Sequence, residues 1–341
     1  MIGAHRSHIR AYFDPTLMRS PILALVLTLL YAALADAQPA KSAQSPPLDH
    51  RAQLAAKFRD RLAEIARATN GVVGVSVIDL ASGERFGVND TLVFPQGSAI
   101  KIPILVELFR QADAGTLRLD EKLAVTTTDQ VAGTGVSQWF GDGLSSLSLR
   151  DLSVLMIVLS DNTATNMLIG KVGMRAVTNS MASMGLGTIK LQRLMIRPRE
   201  SAIGSENVAS ATQAAELMRR IHTCQLPMSR ARCDELRRIL ELPKGGEFPS
   251  SVPPSVRVAW KPGTVEGVAT SWGLFALPAN PYVVTAMVNF SDDRPASAAL
   301  RELADATYEY FHRVARASAF GVRVPAALVD SIRRPPPREK H

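Results

Sequence analysis

The stretch FPQGSAIKIPILVELF, Phe94–Phe109, places one lysine inside a run that is otherwise almost entirely apolar. From Ala99 to Ala114 the pattern predicts a helix, with Ser98 at its start and Lys101 three residues on. Residues three apart on a helix share a face, about one turn from each other. A lysine in apolar surroundings gives up its proton more readily, and the neutral amine can then activate a neighbouring hydroxyl. The same two residues also read as an N-capping serine and a lysine whose stem lies along an apolar surface with its head in water. The pair alone leaves both readings open.

Working outward, the residues before this stretch predict a helix over His50–Thr69, a strand in VVGVSVIDL (72–80), a turn at ASGE and a hairpin partner in RFGVN (85–89). After it come helical segments at 149–159, 163–172 and 174–184, an irregular stretch, and helices at 211–221 and 233–240. Three strands close the pattern, VRVAW (256–260), ATSWGLFAL (269–277) and YVVTAMVNF (282–290), before a long helix over 295–315. The simplest packing is an α/β (α+β) fold. It has a five-stranded antiparallel sheet flanked by the two terminal helices, and an all-helical lobe, about 96–210, inserted after the second strand. The expected catalytic domain is 50–320.

At the N-terminus, PILALVLTLLYAALA (21–35) follows Arg19 and leads to Ala35-Asp36-Ala37, which reads as a secretory signal peptide over 1–37 with translation starting at Met1 or Met18. A membrane anchor is the competing reading, but this apolar run is shorter than the about 20 residues that cross a bilayer. Residues 38–49 read as a linker and 321–341 as a basic, Pro-rich tail. The expected location is therefore exported, periplasmic or secreted. Cys224 and Cys233 are the chain's two cysteines. In an oxidising space such a pair suits a disulfide, with two buried thiols the alternative. The net charge of +8 suits anionic partners, yet the cations are scattered without aromatic interleaving or a phosphate-binding loop, which argues against nucleic acid.

Two further segments bear on Lys101. LMIVLSDNTATN sets Ser160-Asp161-Asn162 directly after an apolar helix, and VRVAWKPGTVEG sets Lys261-Pro262-Gly263 at the end of a predicted strand. With Ser98-Ala99-Ile100-Lys101 they form, in order and context, a set that resembles the penicillin-recognising serine hydrolases. That superfamily holds the class A β-lactamases and the low-molecular-weight penicillin-binding proteins. The likeness covers roughly Ala52–Ala315. It implies Ser98 as acylated nucleophile, Lys101 as its base, Ser160 as proton shuttle to the leaving nitrogen and Lys261 as the source of a positive field. It further implies that Asn162 binds the substrate amide, that Gly263 and Thr264 line the substrate site, and that the N–H groups of Ser98 and Thr264 form the oxyanion hole. No cofactor or metal is called for. Among the histidines after residue 37, His50, His222, His312 and His341, none stands in a triad or zinc-ligand setting.

The chain also departs from the family. Class A enzymes release their acyl group with a water activated by a loop glutamate. In LQRLMIRPRESAIGSENVAS (191–210) that position falls on Met195, and the asparagine position on Arg199. Glu200 and Glu206 are the remaining carboxylates, read either as substitute bases or as ion-pair partners of Arg193, Arg197 or Arg199. Pro262 replaces a usual Thr or Ser, and VATSWGLF lacks a substrate-binding Arg that often follows. The expected activity is opening of a β-lactam through an acyl-enzyme, by a monomer. The alternatives are a peptidase or esterase acting on cell-wall peptides, and a binder that acylates and stops.

Overall fold

A computed structural model describes residues 50–246, 248–318, 321–324 and 328. The expected signal peptide, the whole linker and most of the tail lie outside the described residues.

The chain opens with helix α1 (His50–Ala68), then strands β1 (Val72–Asp79), β2 (Arg85–Val88) and β3 (Val93–Pro95). A 3-10 turn at Gly97–Ile100 leads into α2 (Lys101–Asp113), followed by β4 (Lys122–Ala124), β5 (Ser146–Ser148), α3 (Leu149–Val158), α4 (Asn162–Val172) and α5 (Met174–Ser183). Next come α6 (Pro198–Ala202), β6 (Val208–Ser210), α7 (Ala211–Thr223) and α8 (Arg230–Glu241). The remainder is β7 (Val258–Val265), β8 (Val268–Phe275), β9 (Tyr282–Asn289), α9 (Asp293–Ala315), β10 (Ala317–Ser318) and β11 (Gly321–Val322).

The main sheet has the order β2-β1-β9-β8-β7, every neighbour antiparallel. One face packs on the terminal helices: Phe58, Leu62 and Ile65 of α1 and Leu303, Phe311 and Val314 of α9 meet Val75, Val77, Val284 and Val288. The alternate residues, among them Ile78, Trp272, Leu274, Val283 and Met287, join the core of the helical lobe. Strand alternation thus lets one sheet serve two cores. Helix α2 is the axis of the lobe and is buried nearly all round, from Lys101 to Phe109. Its Pro103 sits in the first turn, where no intrahelical N–H is needed.

The five-stranded antiparallel sheet, the flanking terminal helices and the lobe inserted after the second strand are as expected. The third motif is placed differently, since Lys261-Pro262-Gly263 lies within β7 rather than at the end of a strand. Proline lacks a ladder donor and is confined to edge strands, and β7 is the edge of this sheet. The stretch expected to be irregular holds α6 and β6, and β6 pairs with β3 (Phe94↔Ala209) directly before the 3-10 turn that carries Ser98. Cys224, in left-handed conformation at the end of α7, is bridged to Cys233 of α8.

Candidate active site

Ser98 lies in the 3-10 turn, not at a capping position. Its oxygen accepts a hydrogen bond from Ser160 Oγ at 2.8 Å. Gln96 holds this turn. Its side chain donates to Phe94 O (2.8 Å) and Ala209 O (3.2 Å) and accepts from Trp272 Nε1 (2.9 Å), so β3, β6 and β8 share one buried amide. Thr270 Oγ1 of β8 reaches both Gln96 O (2.9 Å) and Gly263 O (3.3 Å), tying the turn to β7. The approach is so close that a Cβ on Gly263 would stand 2.2 Å from Gln96 O and 2.7 Å from Ser98 N. A Cβ on Gly97 (φ +48°) would stand 2.8 Å from Thr264 N. Glycine at both positions lets the Ser98 and Thr264 amides lie side by side.

Lys101 is fully buried, and its Nζ donates to Ser160 O (2.6 Å), Ser160 Oγ (3.1 Å) and Asn162 Oδ1 (2.9 Å). It neither caps nor snorkels. Burial, with the positive charge of Lys261 added, pushes its pKa well below the ordinary lysine value, against the pull of Asp161. As an ammonium it spends all three protons on these acceptors. As an amine it keeps two N–H groups for the two carbonyl oxygens and has a lone pair to face the Ser160 hydroxyl. A proton can then pass from Ser98 through Ser160 to Lys101 by reorienting two hydroxyls.

Ser160 sits at φ +54°, a left-handed conformation that a serine adopts only when its surroundings impose it. Thr134 Oγ1 donates to its carbonyl (2.6 Å), and Asp161 caps α4 through Ala164 N while accepting from Val136 N and Ser137 N, each at 2.8 Å. The loop 131–139 is thereby pinned to α4, where Asn162 Nδ2 also donates to Ala132 O (3.3 Å).

Lys261 is buried, donates to Pro262 O (3.2 Å), and has its pKa lowered to about 7 by burial and, secondarily, by Lys244. Together with Ser98, Ser160, Asn162, Gly263 and Thr264 it lines a cleft of about 870 Å³ between β7, the 131–139 loop and the 191–210 loop. In that last loop, Asn166 of α4 clips Met195 at both backbone atoms, accepting from its N (2.8 Å) and donating to its O (3.2 Å). Met195 is thus buried and lines the cleft. Glu206 also lines it, held by Arg193 (2.7 Å) and by the Ser201 hydroxyl. Glu200, in the first turn of α6, is not among the lining residues and pairs with no described arginine. Asn207 braces the loop from inside, accepting from Gln192 N and Arg193 N and donating to Arg193 O.

Gln96, Asn166 and Asn207 escape the motif reading. Asn166 alone carries a local signal, a position one turn after Asn162 on the same helix face. Among the described residues no group of three or more His, Cys, Asp or Glu could hold a metal ion.

A serine and a buried lysine thus meet between an antiparallel sheet and a helical lobe. The chain belongs to the beta-lactamase enzyme family, whose model matches residues 57–311. It is 31% identical to beta-lactamase L2 of Stenotrophomonas maltophilia over 182 residues, which are 52% of this chain and 58% of that one. The chain spans less than two thirds of the length of the curated relatives it matches. Among solved structures, a beta-lactamase from Sphaerobacter thermophilus superposes with TM-score 0.68 at 29% identity, over 74% of this chain and 95% of its own. PBP-A superposes with TM-score 0.69 at 25% identity, over 75% and 96%.

Proposed function

We propose that this chain is a serine β-lactam hydrolase working through an acyl-enzyme on Ser98. The observation that carries the reading is the unbroken hydrogen-bonded chain Ser98–Ser160–Lys101, ending on a lysine whose pKa is lowered by burial. Ser98 Oγ attacks the ring carbonyl while its proton moves through Ser160 to Lys101. The carbonyl oxygen takes its charge between the Ser98 and Thr264 N–H groups, and Asn162 holds the substrate amide. The C–N bond then breaks, and the proton returns through Ser160 to the leaving nitrogen. Lys261 supplies positive potential, and Thr264 is the remaining hydroxyl beside it for the substrate carboxylate.

Release needs a water and a base. Met195 offers no base, so release is the slow step. Glu206 is the first candidate because it lines the cleft, though its carboxylate is engaged by Arg193; Glu200 is the second. Export to the periplasm or beyond is supported by the 1–37 reading and by a disulfide of the kind that persists in oxidising compartments. No helix among the described residues is long and apolar enough to cross a membrane. The site is complete within one chain, which suits a monomer, and its role would be resistance to β-lactam antibiotics.

The test is single-turnover acylation by benzylpenicillin. Ser160→Ala should slow acylation by about 10²-fold, the contribution of a positioned proton shuttle. A Ser160→Ala rate equal to wild type would remove the relay. Glu206→Gln and Glu200→Gln, followed for adduct lifetime, identify any base for release.

A further inference from the structure

The cleft contains an arginine that no part of the mechanism uses. Arg197 lines it from the 191–210 loop, is exposed, and makes no ion pair or side-chain hydrogen bond with any described residue. Its neighbours differ. Arg193 on the same loop is buried and spent on Glu206, and Lys261 on the opposite wall is buried and donates to Pro262 O. The other unpaired charge on the lining is Glu266, in the β7–β8 turn.

Substrate orientation follows from the groups on each wall. The carbon bonded to Ser98 Oγ carries three other substituents. Its oxygen goes to the Ser98 and Thr264 amides beside β7, and its leaving nitrogen goes to Ser160 on the α3–α4 side. The third substituent, with the acylamino arm, is left the wall formed by Met195, Ile196 and Arg197. Ile196 and Met195 offer that arm apolar contact, and Arg197 offers it a planar cationic fork suited to a carboxylate.

We infer that Arg197 is a specificity-determining residue that favours β-lactams whose acylamino arm carries a carboxylate. This rests on the acyl-enzyme reading above. It adds a second anion contact, separate from the ring carboxylate held near Lys261 and Thr264. Because Arg197 is exposed to solvent, the contact is a screened one, and its worth is about fivefold in acylation rate at low salt, diminishing as salt rises.

Two penicillins that differ in one group test it: benzylpenicillin and α-carboxybenzylpenicillin. Acylation rates are measured by quenched mass spectrometry on wild type, Arg197→Gln and Arg197→Lys. The expected result is that Arg197→Gln slows the carboxylated compound about fivefold and leaves benzylpenicillin unchanged, while Arg197→Lys keeps most of the preference. A ratio of the two rates that is the same in wild type and Arg197→Gln overturns the inference even though both compounds acylate. Acylation of wild type by benzylpenicillin but not by the carboxylated compound also overturns the inference, whereas failure of both compounds overturns the acyl-enzyme reading itself, and the inference with it.

Discussion

Replacing Gly263 by alanine perturbs the contact on which the proposed oxyanion site depends. The added Cβ would lie 2.2 Å from Gln96 O, 2.5 Å from Ala99 N and 2.7 Å from Ser98 N, whereas real Cβ atoms essentially never come within 3.0 Å of such atoms. All three neighbours are backbone, so none can swing aside. The turn and β7 must part by about 0.8 Å, a displacement on the scale that costs about 10²-fold in a positioned reaction. Separation also pulls the Ser98 and Thr264 amides out of register, and one lost oxyanion donor costs about 10²–10³-fold. It stretches the Thr270 hydroxyl that bridges Gln96 O and Gly263 O. Gly263→Ala should therefore slow acylation by about 10²–10³-fold and lower stability by about 1–3 kcal/mol, the usual cost of overpacking. The assay is quenched-flow mass spectrometry with benzylpenicillin, with circular dichroism to establish folding. Gly245→Ala is the control, since a Cβ there meets nothing within 4 Å. A folded Gly263→Ala protein that acylates at the wild-type rate would refute the reasoning.

Other expectations follow from the same geometry. Met195→Glu places a carboxylate where Asn166 already fixes the backbone beside the cleft, so adduct lifetime should shorten by about 10²-fold; an unchanged lifetime with intact acylation counts against the lack of a base at position 195 as the cause of slow release. Lys261 loses its charge as pH rises through about 7, so acylation should decline above that pH. Lys261→Arg stays charged and should abolish the decline in a pH–rate profile; a decline that persists there must belong to another group. The Cys224–Cys233 bridge, with a sequence separation of 9, should contribute about 2–3 kcal/mol by loop-closure entropy. Denaturant unfolding of the double Cys→Ser variant measures this, and equal stability would show that the bridge only decorates the loop.

How far the site can be read from residues depends on the range of the interactions involved. The strands of the sheet and helices α1–α5 and α7–α9 are visible in local apolar periodicity, because each buries one face or all of itself. Ser98, Lys101, Ser160 and Lys261 are legible through their order and context. What holds them is not. Gln96 acts through partners 113 and 176 residues away, and Asn166 acts on a backbone 29 residues away; no local period encodes either. Strands β3 and β6 are three residues each, too short to alternate visibly. The left-handed turn at Ser160 runs against the preference of serine and is imposed by Thr134 from outside the motif, with Asp161 inside it pinning the 131–139 loop. The strand expected over 256–260 runs on through Pro262, and only the sheet order shows that an edge strand accommodates the proline.

The central claim is that Ser98 is a nucleophile driven through Ser160 by Lys101. Intact-protein mass spectrometry after mixing with benzylpenicillin, followed over time on wild type and Ser98→Ala, tests it most directly. The account expects wild type to gain the mass of one penicillin, mapped to the peptide bearing Ser98 and lost slowly, and Ser98→Ala to gain none. Hydrolysis of penicillin by Ser98→Ala, or a wild-type adduct on another residue, would contradict it.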